Sequence, residues 1–103
     1  MRILIIGGAG FIGSHLVSLL NNNSDHELVV VDNLSSGSRE NISQKIKFYE
    51  MDIRDNGLEK VFNEYHFDVV VNLAAQTMVP YSLEHPDEDA DINILGLINV
   101  LNC

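Results

Sequence analysis

The segment Gly7-Gly8-Ala9-Gly10-Phe11-Ile12-Gly13 carries glycines at its first, fourth and seventh positions, directly after an apolar run. This spacing suits a turn that delivers backbone amides to a phosphate. Gly7 permits the tight turn, Gly10 lets the backbone approach a pyrophosphate, and Gly13 lets the following helix pack closely on the preceding strand. Glycines also serve ordinary turns, so the context decides. Here the triplet lies between an expected strand and an expected helix, and Asp32 follows Gly13 by 19 residues. That is close to the roughly 20-residue spacing at which an acid meets an adenosine ribose. A carboxylate accepts from a ribose 2′-hydroxyl and repels a 2′-phosphate, which favours NAD over NADP. Arg39, in the next loop, has two readings: a contact to such a phosphate, or a solvated loop residue.

No acid/base pair accompanies this turn. His15, His26, His66 and His85 are scattered without metal-ligand spacing, and no Ser/His/Asp order stands out, so no metal site and no catalytic residue is assigned. Glu84, Asp87, Glu88, Asp89 and Asp91 cluster around Pro86. Their expected role is to complement the positive end of a helix, with metal binding as the alternative.

The elements that must position the turn follow from apolar patterning. Residues 3–6, 28–31 and 69–71 are short, β-branched and unbroken by alternation, as in parallel strands covered on both faces. Residues 45–51 alternate imperfectly, the pattern of an edge strand. Ile12, Leu16, Leu19 and Leu20 form one stripe of a helix ended by Asn21-Asn22-Asn23. Leu58, Val61, Phe62 and Tyr65 form another, expected from near Asp55 to before Phe67. A third helix is expected from Pro86 to the chain end. The order strand, helix, strand, strand, helix, strand, helix predicts an α/β doubly wound parallel sheet in the order 3-2-1-4, since right-handed crossovers leave little else. Strand four is then an apolar edge. The last helix carries Ile92, Ile94, Leu95, Leu97, Ile98, Val100 and Leu101 around most of its circumference, more than one contact face can bury.

Several segments together resemble the extended short-chain dehydrogenase/reductases of the NAD-dependent epimerase/dehydratase family. These are residues 7–15, Asp32-Asn33-Leu34-Ser35-Ser36-Gly37, Asp52-Ile53-Arg54-Asp55, Leu73-Ala74-Ala75-Gln76 and Asn93-Ile94-Leu95-Gly96. The similarity is greatest to the UDP-glucose 4-epimerase branch. It implies an incomplete Rossmann-type sheet, with residues 1–103 as the N-terminal NAD-binding portion of a longer enzyme. The implied cofactor-binding residues are Gly7, Gly10, Phe11, Ile12 and Gly13 in the turn; Asp32, Asn33, Ser35, Ser36 and Gly37 near the ribose; Asp52 and Ile53 at the adenine; Leu73, Ala74 and Ala75 along the cofactor; and Asn93 in the last helix. For Asp52 a cap or turn role is the alternative. For Asn93 it is a buried amide satisfying a nearby carbonyl. Asn72 stands where many relatives carry His, and residues 78–82 differ from the dehydratases. The family's Tyr-x-x-x-Lys pair is absent: four positions after Tyr49, Tyr65 and Tyr81 come Ile53, Val69 and His85.

The expected function is therefore the NAD-binding part of a nucleotide-sugar epimerase, inactive on its own. The alternatives are a dehydratase of the same family or a non-catalytic NAD-binding module. The nucleotide sugar would be held by a further C-terminal part, and a homodimer or the missing second half is the expected partner. With 103 residues and 46% hydrophobic content the chain suits one small unit. Six basic against fifteen acidic residues, a formal charge of −9, disfavour nucleic acid and anionic lipid. The first apolar run stops at Gly7-Gly8, too short for an export signal, and no run approaches membrane-spanning length. Cys103, the only thiol, is expected to be exposed and inert, in a reducing compartment such as the cytoplasm.

Overall fold

The computed structural model describes residues 1–22, 25–74 and 83–103. Four strands, β1 (Arg2–Ile6), β2 (Glu27–Asp32), β3 (Lys47–Glu50) and β4 (Val69–Asn72), form one parallel sheet in the order β3-β2-β1-β4. Ile5 lies in register with Val30 on one side and Val71 on the other, so the carboxyl ends of β1, β2 and β4 reach one edge together. Asp32 pairs with Glu50 at the same edge.

Successive strand residues point to opposite faces, and each face has its own core. Ile3, Ile5, Leu28 and Val30 pack with Val17 of α1 (Phe11–Asn21) and with Ile42 and Ile46. Leu4, Ile6, Val29 and Val31 pack with Leu58 and Val61 of α2 (Leu58–Tyr65), with Ile53 and with Val100. Coverage on both faces is why β1 and β2 show no polar alternation. β3 lies at one border with its outer residues exposed.

Two helices differ from expectation. In α1 the buried positions are Gly13 and Val17, while Ile12 and Leu19 are exposed. Gly13 rotates the helix onto the glycine turn, where an added Cβ would stand 2.7 Å from Gly8 Cα. Only the bare backbone fits there. α2 begins at Leu58 rather than near Asp55, because Asp55 accepts from Gly57 N–H at 2.7 Å and forms a separate turn. α2 ends at His66, which takes the left-handed conformation with φ 50°.

The last helical run starts with Pro86 in the first turn of α3 (Pro86–Ala90). It passes through a π-helical segment (Asp91–Leu95) into α4 (Gly96–Asn102). Asp87, Glu88 and Asp89 occupy the first turn, where the helix dipole favours them. Asp91 lies beyond that turn and pairs elsewhere. Cys103 is half-buried rather than exposed: its thiol donates to Asn99 O at 3.1 Å, and burial pushes its pKa up.

β4 and the last helix leave much apolar surface open. Val69, Val70 and Leu73 remain more than a third exposed, and Ile94, Leu95 and Leu101 more than half. No helix among the described residues is long and apolar enough to cross a membrane.

Candidate functional site: a cleft at the carboxyl edge of the sheet

The carboxyl edge of an open parallel sheet is where loops diverge and leave a crevice. Here β1 and β2 are followed by the glycine turn and by the loop after Asp32. Hydrogen bonds tie the two together. Ala9 N–H donates to Asp32 Oδ2 at 2.9 Å, Asn41 Nδ2 donates to Ala9 O at 2.9 Å, and Ser38 N–H donates to Ala9 O at 3.2 Å. Gly7 has φ 80°, a conformation that favours glycine, and a Cβ there would stand 2.9 Å from the backbone of Leu73 and Ala74.

The first turn of α1 carries neither an acidic residue nor a side-chain cap; Gly10 alone precedes it. Helix N-termini leave backbone N–H groups without intrahelical partners, and side-chain oxygens usually fill them. α3 shows the contrast, with three carboxylates in its first turn. The end of α1 is thus open to an external anion.

This end forms one wall of a cleft of about 410 Å³, within the roughly 300–1,000 Å³ of small-molecule sites. Gly7, Gly10, Phe11, Ile12, Gly13, Asp32, Asn33, Ser35, Ser36, Asp52, Ile53, Leu73 and Ala74 all line it. Two further expected residues do not join them. Gly37 packs against the glycine turn, where a Cβ would stand 2.5 Å from Ala9 O; its role there is close backbone packing. Asn93 turns its amide to Asp89 Oδ1, 2.9 Å away within the last helical run. Ala75 lies outside the described residues. Conversely, Ile6, Met51 and Ile92 line the cleft without having been expected at the site. Ile6 and Met51 adjoin the expected residues Gly7 and Asp52, and the strand ends point to them. Ile92 arrives from a distant helix and carries no local signal.

Asp32 lines the cleft and is only 8% exposed. Its Oδ1 accepts from Leu34 N–H at 2.7 Å, leaving acceptor capacity toward the cleft. Arg54 donates to both oxygens of Asp52 at 2.8 Å, and Asn33 Nδ2 adds a second partner at 3.2 Å. These bonds hold the Asp52 carboxyl down at about 2. Arg39 does not face the cleft. It stacks 4.7 Å over the Phe48 ring and donates to Ile42 O, a partly buried position with local partners.

Tyr49 is turned away: its hydroxyl meets the Tyr65 hydroxyl and the Glu64 carboxylate, each at 3.2 Å, which pushes its pKa up and removes it as an acid/base group. Tyr81 lies outside the described residues. Among the described residues no group of three His, Cys, Asp or Glu side chains is placed to hold a metal.

A sequence profile described as the NAD dependent epimerase/dehydratase family matches residues 3–103. The chain belongs to the NAD-dependent epimerase/dehydratase family. Among its family relatives, the UDP-glucose 4-epimerase of Lactobacillus helveticus is 39% identical over 102 residues, which are 98% of this chain and 31% of that protein. That of Streptococcus mutans is 40% identical, with 98% and 31% covered. Solved structures agree. The UDP-glucose 4-epimerase of Thermus thermophilus in complex with NAD matches with a TM-score of 0.94 at 44% identity, covering 99% of this chain and 33% of that one. The Thermotoga maritima enzyme with UDP-glucose matches with the same TM-score, at 45% identity and the same coverage. The chain spans about a third of the length of these family members.

Proposed function

We propose that the cleft binds NAD and that residues 1–103 are the N-terminal, NAD-binding portion of a UDP-glucose 4-epimerase-like enzyme. The observation that carries this reading is the uncapped, acid-free first turn of α1 facing a cleft that also contains Asp32. Gly10 to Gly13 would hold the pyrophosphate, and Asp32 and Asn33, beside Ser35 and Ser36, would hold the adenosine ribose. Asp52 and Ile53 would take the adenine, and Leu73 and Ala74 the nicotinamide half. Gly7 supports the turn, and Asn93 is assigned to helix packing rather than to the cofactor.

Bound NAD supplies a hydride acceptor for transient oxidation of the sugar at C4. This chain's own contribution is to bind and orient the cofactor. The acid/base pair and the nucleotide-sugar contacts come from residues outside these 103. The open faces of β4 and the last helix receive either that remaining part or a second copy.

Titration calorimetry of the full expressed protein with NAD and NADP tests the reading. Tighter binding of NAD is expected. A preference for NADP overturns the role given to Asp32, and a folded sample that binds neither overturns the function.

A further inference from the structure

Asp52 is held unusually completely for a residue at a cleft wall. Arg54 donates to it three times: its backbone N–H and Nε both reach Oδ1 at 2.8 Å, and Nη2 reaches Oδ2 at 2.8 Å. The remaining guanidinium nitrogen, Nη1, donates to Asp91 Oδ2 at 2.7 Å, across to the last helical run. A carboxylate offers about four acceptor positions. Arg54 fills three, and Asn33 Nδ2 fills the fourth with the longest bond, 3.2 Å. A donor entering the cleft therefore displaces the neutral Asn33 amide and leaves the charged fork of Arg54 in place.

We propose that Arg54 is a positioning residue for the base end of the cleft. Its guanidinium, braced by Asp91, presents the Asp52 carboxylate as an acceptor for an exocyclic amino group, so the cleft prefers adenine to a base with a carbonyl at that position. The inference rests on the NAD reading above and adds a determinant of base selectivity to it. Asp52 stays ionised at neutral pH and is acceptor-only, so a carbonyl oxygen facing it is repelled. The ion pairs themselves are about a third exposed on the arginine side, where such pairs add little to stability. Geometry is what the planar fork supplies. The attachment of the helix to this loop does not depend on Arg54 alone. Asn99 Nδ2 donates to Ile53 O at 2.8 Å and Asp55 O at 3.1 Å, and Gly96 packs on Ile53. Variants of Arg54 are thus expected to fold.

The test uses the full expressed protein, wild type and the variants R54Q, R54K and D91N. Each is titrated at neutral pH with NAD and with nicotinamide hypoxanthine dinucleotide, in which a carbonyl replaces the amino group. Wild type is expected to favour NAD. R54Q is expected to lose roughly tenfold in NAD affinity, the scale of one charge-assisted hydrogen bond, while the ratio between the two ligands falls toward one. R54K keeps the charge without the fork and is not expected to restore the ratio. D91N shifts it the same way by less, and carries the test if R54Q does not fold. Equal weakening toward both ligands, or an unchanged ratio in the variants, overturns the inference while leaving NAD binding intact. Wild-type protein that binds neither ligand overturns the reading of the cleft and this inference together.

Discussion

Asp32 Oδ2 accepts a hydrogen bond from the backbone N–H of Ala9 at 2.9 Å, joining the loop after β2 to the glycine turn after β1. The same carboxylate accepts from Leu34 N–H at 2.7 Å and holds Leu34 at φ 60°, a left-handed conformation that costs a branched residue energy. A single acid therefore shapes the turn for the phosphate and stands at the proposed ribose site. Replacing Asp32 would disturb both at once, so the turn is better probed through its glycines.

Gly10 and Gly13 are expected to separate binding from folding. A Cβ at Gly10 meets only Gly7 O, at 3.6 Å, so G10V should keep its denaturation midpoint. The branched side chain would enter the pyrophosphate's space and weaken NAD binding at least about tenfold, ~1.4 kcal/mol. At Gly13 a Cβ collides with the backbone of Gly7 and Gly8, and G13A should lose about 1–3 kcal/mol in urea denaturation. Unchanged NAD affinity in G10V would count against the placement of the cofactor.

Acid stability should report on Asp52. Its folded pKa of about 2 lies below the ordinary 3.8, so the fold favours the ionised form. That contribution is complete above about pH 4 and is lost as the pH falls through 2. R54Q removes the main cause of the depression. Its acid unfolding, followed by circular dichroism, should begin at higher pH than wild type; coincident curves would refute the assignment.

His66 ends α2 with φ 50° and is exposed, while its N–H donates to Phe62 O at 3.1 Å. Glycine adopts this conformation without the Cβ penalty. H66G should raise stability by up to about 1 kcal/mol, the roughly 1–2 kcal/mol left-handed penalty it relieves less the greater entropy a glycine loses on folding. A lower thermal midpoint would show that the histidine ring contributes more than the strain removes.

The 103 residues expressed alone should associate. Val69 and Val70 sit on β4, which among the described residues pairs with β1 and borders the sheet, and Ile94, Leu95 and Leu101 are more than half exposed on the last helix. Sedimentation over a range of concentrations should show oligomers or larger species. A stable, well-folded monomer at high concentration would sink the prediction.

The same isolated chain should not turn over UDP-glucose. It lacks Tyr-x-x-x-Lys, and loss of a positioned acid/base group costs roughly 10²–10⁴-fold. Measurable epimerisation by pure material would mean that another group in these residues performs the proton transfer.

Local order is what the amino-acid sequence determined by itself. β1, β2 and β4 were legible because strands covered on both faces need unbroken apolar runs, and their parallel order followed from crossover handedness. The glycine turn and Asp32 were legible because a tight turn and a strand end have a set spacing along the chain. The tertiary structure decided what depends on distance in space rather than along the chain. The close approach at Gly13 chose which stripe of α1 faces the sheet, and Gly37 became a packing contact because Ala9 lies against it. Ile92 reached the cleft, and Asp91 reached Arg54, 37 positions away, only because the last helical run packs against the loop that follows β3. A periodic pattern records which residues need burial; it holds no record of which distant partner the sheet will bring to them.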